Sequence, residues 1–586
     1  MTIKTDENSK TDYKKQIEEL LGHFDDGWDV FKKPKHWDYP LVRKEASKDM
    51  PGLPSTWIEL VEKTVGIIAE GKYDMDVYDN TIALITADQM LDACSSHGLP
   101  VFYDHWSFGM QRVMEEKKFR AGMSGMAYEI VINTDPSIAY CMEGNSPLMQ
   151  ILVIAHACFG HNNFFKQNYM FKDFTNAKDI ILDLTILRDF IRECEAKYGF
   201  DRVEKVIDAC HALKFHDIRL YNRPDSERNV QKDRELAEKM REARFRMSPE
   251  ELRDMERRMA LKADFDDGAK PQRQERGFVP GNNEENILKY VANNAQHLEE
   301  WQRRIMTMIS DVSQYFFPQM HTKVMNEGWA TFWHYQLLHD MSDLGLLDDS
   351  QMFELYDSHG AVTKQHDFDA SVPVVDQNGN PVIDPETGQP KRHNIYSGIN
   401  PYALGWAMME DIKRICIDPT EEDKKWFPDL AGSQDWVSAL NHAMENFNDE
   451  TFILQYLSPK VIRDFKFFEY ADDQNKDYVE VTAIHDSEGY QKIRNGLADQ
   501  YRIMDMFPKL EVEGYYNLTD RRMVIKHKMQ DDKPLDENGT MEVMKHLYQL
   551  WKHPVILQTV DEDGDIISEI SCPPDHRPQK LAPGLS

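Results

Sequence analysis

Two stretches of the 586-residue sequence place ionisable side chains among apolar neighbours that would bury them. His156 follows Ile151-Leu152-Val153-Ile154-Ala155, and His161 comes five residues later, directly after Gly160. In the second stretch, VMNEGWATFWHYQLL, Glu327 and His334 stand seven apart, two helical turns, and therefore share a face. A buried imidazole needs a partner for each nitrogen, and a buried carboxylate must be paired, protonated or metal-bound. Two histidines from one helix end, with a glutamate and a histidine from another, make an N/O donor set suited to Zn²⁺, Fe²⁺ or Mn²⁺. The expected cofactor is thus one divalent metal on His156, His161, Glu327 and His334. Five residues is about 140° round a regular helix, so joint ligation by His156 and His161 requires a break or π-bulge, with Gly160 as its cause. The same residues also fit a satisfied polar core with a Glu–His hydrogen bond, and spacing alone leaves both readings open.

Two further groups could move protons. His105 lies in Tyr103-Asp104-His105-Trp106-Ser107-Phe108-Gly109, a polar-aromatic loop that either lines a cleft or plugs a surface. Glu129 sits on YEIVIN (128–133), which reads as a strand; facing a pocket it is a general base, otherwise it is the outward residue of an alternating strand. His211 and His216 repeat the five-residue spacing in a more polar context that favours a structural role. Gly66 to Lys72 matches most of a phosphate-binding P-loop, but Tyr73 replaces the Ser/Thr and the pattern around it is helical. There is no HExxH, GxSxG or GxGxxG, so the familiar protease, hydrolase and dinucleotide-binding classes lose their support.

The elements that must position these groups are mostly helices. Residues 1–50 read as a peripheral helix and arm. Thr56 to Glu59 is a capping box before a helix that runs through Ile68. Ser146-Pro147 starts a helix that is apolar nearly all round and must be buried. Helices are expected at about 178–198, 201–215, 284–316 with a break at Pro318, and 320–342. Residues 222–282, dense in both charge signs, read as exposed peripheral helices, and 367–398, with Asn-Gly and Gly-Gln-Pro turns, as a projecting hairpin loop. After residue 472 the pattern becomes βαββαβ. The expected fold is therefore mainly α, a large helical body over 51–472 with a short sheet element. A C-terminal α+β, ferredoxin-like domain over 473–570 and a tail over 571–586 follow it.

Charge and composition exclude other classes. With 69 Lys+Arg against 101 Asp+Glu the net charge is −32, which repels phosphate backbones and anionic lipid, so no nucleic-acid partner is expected. No run is long and apolar enough for a membrane span and no signal-peptide pattern opens the chain, so the expectation is a cytoplasmic protein without membrane insertion. Seven cysteines without a CxxC pair read as reduced, mostly buried thiols.

YDHWSFG (103–109), YEIVINTDPSIAY (128–140), LVIAHACFGHNNFFK (152–166), PQMHTKVMNEGWATFWH (318–334), NPYALGWAMMEDI (400–412) and LQYLSPKVIRDF (454–465) together resemble the SpoVR family, the stage V sporulation protein R group, over about residues 10–570. The resemblance implies a cytoplasmic protein of stress, starvation or spore-cortex formation, working with a PrkA-type serine protein kinase and a von Willebrand A-like protein. It implies no settled activity. His105, Glu129, His156, His161, Asn326, Glu327 and His334 all fall in the family's strings. Two readings follow: a metal-dependent enzyme that hydrolyses, forms or transfers amide or peptide-type bonds, and a non-catalytic effector that docks on the kinase and its companion.

Overall fold

The computed structural model describes residues 12–32, 40–48, 50–95, 98–120, 129–214, 216, 278–375, 380–384, 387–396, 398–471, 480–502, 507–517, 519–529, 534–561, 564–572 and 579–581. The charged stretch 222–277 and most of the tail after 572 lie outside the described residues. The chain divides into two units: Met1–Glu204 with Asp311–Phe507, and Lys205–Ser310 with Pro508–Ser586.

The first unit is the helical body. The elements that matter to its interior are α1 (Trp57–Tyr73), β1 (Asn80–Ile85), β2 (Glu129–Ile132), β3 (Ser137–Met142), α2 (Pro147–Ile154) and α3 (Asn162–Gln167). Later in the chain come α4 (Lys323–Asp343), α5 (Asp349–Val362), α6 (Pro401–Ile417), α7 (Trp436–Asn446), α8 (Asp449–Tyr456) and α9 (Ser487–Asp499). Each helix begins where sequence chemistry allows. The Thr56 side chain accepts the Glu59 N–H at the start of α1, and Ser146 accepts the Met149 N–H at the start of α2 with Pro147 as its first residue. Strands β1, β3 and β2 form a small sheet in that order, β1 parallel and β2 antiparallel to β3, with Glu129 opposite Cys141.

The core is aromatic. Trp57, Phe159, Phe164, Trp329, Phe332, Trp333 and Phe452 are buried in one contiguous cluster, so α2, α3 and α4 are central elements. Three helices approach at backbone distance. A Cβ on Gly160 would meet the Ala330 backbone at 2.5 Å, one on Gly328 would meet Gly405 at 2.5 Å, and one on Gly405 would lie 2.1 Å from the Val324 oxygen. Only glycine permits such contact, and it holds α6 and the segment after α2 against α4. Asp449 fastens the start of α4, its two oxygens accepting the N–H groups of Val324 (2.9 Å) and Met325 (2.8 Å).

The second unit carries a six-stranded mixed sheet in the order Gln579–Leu581, Ile566–Cys572, Val555–Val560, Met523–Lys528, Lys509–Tyr516, Phe278–Glu284. Met523–Lys528 runs parallel to Val555–Val560, and Glu537–Trp551 is the helix between them in sequence. The C-terminal part is α+β as expected, but its membership differs from βαββαβ over 473–570. The strand at 480–483 pairs with Glu469–Ala471 in the first unit, and α9 buries Tyr490, Ile493, Leu497 and Ala498 in the first unit's core. The sheet instead recruits Phe278–Glu284, an edge strand whose Pro280 and register shift conceal it in the sequence.

Smaller differences have local causes. The helix Glu300–His321 continues through Pro318, which sits in its last turn, and stops only before Thr322. The loop expected at Tyr103–Gly109 is half helix, because Trp106–Arg120 begins inside it. Strands Ser371–Pro373 and Arg392–Asn394 pair as the expected hairpin. All seven cysteines are free, six of them buried. No helix among the described residues is long and apolar enough to cross a membrane.

Candidate metal centre

The segment Ala155–His161 between α2 and α3 is a π-helical turn. The wider turn brings five-residue neighbours onto one side, and the His156 and His161 rings stand 4.6 Å apart, nearly perpendicular. Gly160 makes the turn possible beside α4, since a side chain there would strike Ala330. From α4, Glu327 enters between them. Its Oε2 lies 3.4 Å from His161 Nε2 and 3.8 Å from His156 Nε2. Ligand atoms of His156, His161 and Glu327 all fall within 4.8 Å of one another.

Hydrogen bonds orient these ligands. His161 Nδ1 donates to Asn326 Oδ1 at 2.9 Å, which turns Nε2 toward Glu327. His156 Nδ1 faces His334 Nδ1 at 3.0 Å, and His334 Nε2 faces His359 Nδ1 at 3.2 Å. Each link needs one N–H and one lone pair, so one choice sets the rest. A lone pair on His156 Nε2 requires His156 Nδ1–H to donate to His334 and His334 Nε2–H to donate to His359. Both nitrogens of His334 are thus occupied. His334, expected as a ligand, instead faces His156 and His359 with its two nitrogens and falls outside the group that could hold an ion, and His359, which the sequence reading missed, supports it. A helical sequence of this kind shows that His334 shares a face with Glu327 but not which histidine of another helix stands in between.

Glu129 is on the cleft side of β2, its Oε1 3.8 Å from His156 Nε2. The alternative of a simply outward residue is corrected by this placement. His105 is not brought to the centre. Its ring lies 3.7 Å from Glu204 and 2.7 Å from the Ser107 hydroxyl among Phe102, Tyr103 and Phe108, so its polar atoms are used locally. His216 sits in the second unit, where burial and nearby His527 push it down to about 4. Tyr402, also not anticipated, lines the cleft beside Glu327 and stacks on His156 at 6.4 Å. Glu129, His161, Phe165, Asn326, Glu327 and Tyr402 line a half-open cleft of about 310 Å³.

The electrostatics fit a cation. Burial alone would raise Glu327, but the imidazoles of His161 and His156 outweigh it and hold this carboxyl far below its ordinary range. Burial would lower His161, yet Glu327 and Asn326 raise it above an ordinary histidine. Glu129 is raised by burial and by Glu327, partly offset by the histidines. His334 is held well below its usual range by burial and by His156 and His359, consistent with a neutral orienting ring. His156 Nε2 and Glu327 Oε2 are buried without a hydrogen-bond partner, an arrangement that costs free energy unless a cation satisfies both. The donor set, two imidazole nitrogens and a carboxylate with a second carboxylate at hand, fits Zn²⁺ or Fe²⁺.

A family model described as SpoVR like protein matches residues 55–506, and one described as SpoVR-like C-terminal domain matches residues 508–562. The chain belongs to the SpoVR family. The border between the two matches coincides with the break between the two units at Phe507 and Pro508. The Escherichia coli (strain K12) protein YcgB, itself described as uncharacterized, is 44% identical over 508 residues, covering 86% of this chain and 92% of that protein. No solved structure matches. In this SpoVR member the contact of His334 with His156 gives a prediction for a metal-loaded centre. His334→Leu is expected to keep the fold and lower metal affinity about 10–100-fold, the usual effect of losing an outer-shell partner. Competition with a chromogenic chelator measures it, and unchanged affinity would return His334 to the polar core alone.

Proposed function

We propose that this SpoVR-family protein is a metal-dependent amide hydrolase whose centre is His156, His161 and Glu327. The supporting observation is the convergence of these three groups, with two orphaned buried ligand atoms, beside a cleft that His161 and Glu327 line. A bound divalent ion would supply Lewis acidity, polarising a substrate carbonyl and acidifying water.

The chain's own residues supply the rest. Glu129, raised by burial and facing the cleft, is placed to act as the base. It takes a proton from the water that adds to the carbonyl carbon and returns it to the amine as the C–N bond breaks. The Tyr402 hydroxyl, raised far above its ordinary range by burial and the two glutamates, stays protonated and can donate to developing negative charge on the carbonyl oxygen. Asn326 keeps the His161 lone pair aimed inward. Ile130, Val131 and Phe165 give the cleft an apolar side.

The test is elemental analysis of protein purified without a metal-affinity tag, with turnover of a fluorescence-quenched peptide library. The parent is expected to hold near-stoichiometric metal and to cleave. Glu129→Gln is expected to retain the metal and lose at least about 100-fold in rate, the usual contribution of a general base. Absence of metal from the parent, or full activity in Glu129→Gln, would overturn the proposal.

A further inference from the structure

Gln319 lies just before the Thr322 junction and Lys323 just after it, Asn326 and Glu327 follow Lys323 three and four residues on, and all four line the cleft. Lys323 is the one Lys or Arg among the described lining residues. Lys323 is exposed and makes no ion pair among the described residues. Asp449 feels its charge, but that carboxylate is engaged by backbone N–H groups of α4. Asn326 gives its oxygen to His161, which leaves its Nδ2 to donate, and Gln319 adds an amide one turn before Lys323.

One row of the cleft thus presents a cation flanked by two neutral amides, beginning one helical turn, about 6 Å of rise, from Glu327. The other lining residues are apolar or belong to the metal centre and its base. A free carboxylate matches this row, since a charge-assisted bond to an ammonium is stronger than a neutral one. A carboxy-terminal residue places its carboxylate one residue, about 3.8 Å in Cα spacing, beyond the scissile amide. Resting on the hydrolase reading above, we infer that the substrates are peptide-type amides whose last residue bears a free carboxylate, with Lys323 as the group that selects it. Water adds to the acyl carbon, the C–N bond breaks, and the terminal residue leaves as a protonated amine with its carboxylate still on Lys323.

Two small hydroxamates separate this inference from the metal reading. Acetohydroxamate tests the metal centre alone, and succinic monohydroxamate adds a pendant carboxylate. Binding is read from the visible absorption of Co²⁺-loaded full-length protein. The carboxylate-bearing probe is expected to bind about tenfold tighter to the parent, and the two are expected to bind within about twofold of one another in Lys323→Met. Circular dichroism confirms that the variant is folded, and its Lys323 backbone N–H is unchanged. Equal affinities in the parent, or an undiminished preference in Lys323→Met, overturn the carboxylate inference and leave the metal centre standing. Failure of both probes to perturb the Co²⁺ spectrum overturns the metal centre and this inference with it.

Discussion

Glu327→Gln is expected to strip the metal from a protein that remains folded. The fall in affinity should exceed about 100-fold, beyond what loss of an outer-shell partner causes, because a ligand and its charge both go. Glu327 is the anion of the set, kept ionised by His161 and His156 against the pull of burial. Glutamine has the same shape, so packing against the cleft is conserved. The substitution also removes the main influence that raises His161, so the proton competing for that imidazole is held less tightly than before. Protonation therefore cannot account for the loss, and the missing negative charge can. Elemental analysis and a urea midpoint decide the matter. Stoichiometric metal in a folded Glu327→Gln protein would show that the cation binds elsewhere.

Gly405→Ala is expected to be the most damaging small change in the helical body. Alanine favours a helix interior over glycine by up to about 1 kcal/mol, so propensity alone would call this substitution stabilising. The contact decides otherwise. The added carbon would lie 2.1 Å from the Val324 oxygen and 2.7 Å from the Gly328 Cα, and neither backbone atom can rotate aside. The two helices must separate, at about 3 kcal/mol or more, the upper end for overpacked cores. Because α6 carries Tyr402 and α4 carries Glu327, that separation should also loosen the metal centre. Gly360→Ala is the matched control, a helical glycine with nothing within 4 Å of the added carbon, and it should be neutral or mildly stabilising. Equal midpoints in thermal unfolding for the two variants would refute the close-approach account.

The three groups at the centre of the site were legible before any fold was known. A histidine in an uninterrupted apolar helix, and a glutamate on a tryptophan-rich one, are costly unless they have partners, and that cost is a property of local sequence. The need for a π-turn between His156 and His161 was equally legible, since the angular offset of five residues is set by helix geometry. The role of His334 was not, because periodicity places a residue on a face without naming the atom across from it. His359 and Tyr402 left no signal of their own, one in a polar helix and the other after a helix-starting Asn-Pro pair.

Element types followed the same division. Caps at Thr56 and Ser146, the buried character of α2 and the α+β character of the C-terminal part were written in neighbouring residues. Which core an amphipathic helix joins was not. Helix α9 has an apolar face that suits either unit, and its docking in the first unit rests on Tyr490, Ile493 and Leu497 meeting that unit's buried cluster, with Arg494 bonded to the Leu457 oxygen at 2.9 Å. Sequence by itself determined the ligand types, their helical spacing and the family. Tertiary structure alone decided that Glu129 faces the cleft, that His105 does not reach it and that His334 stands between His156 and His359. The reason is physical: side-chain period is set along one element within a few residues, whereas donor-to-donor geometry is set between elements, here by glycines that let three backbones approach within a carbon's width.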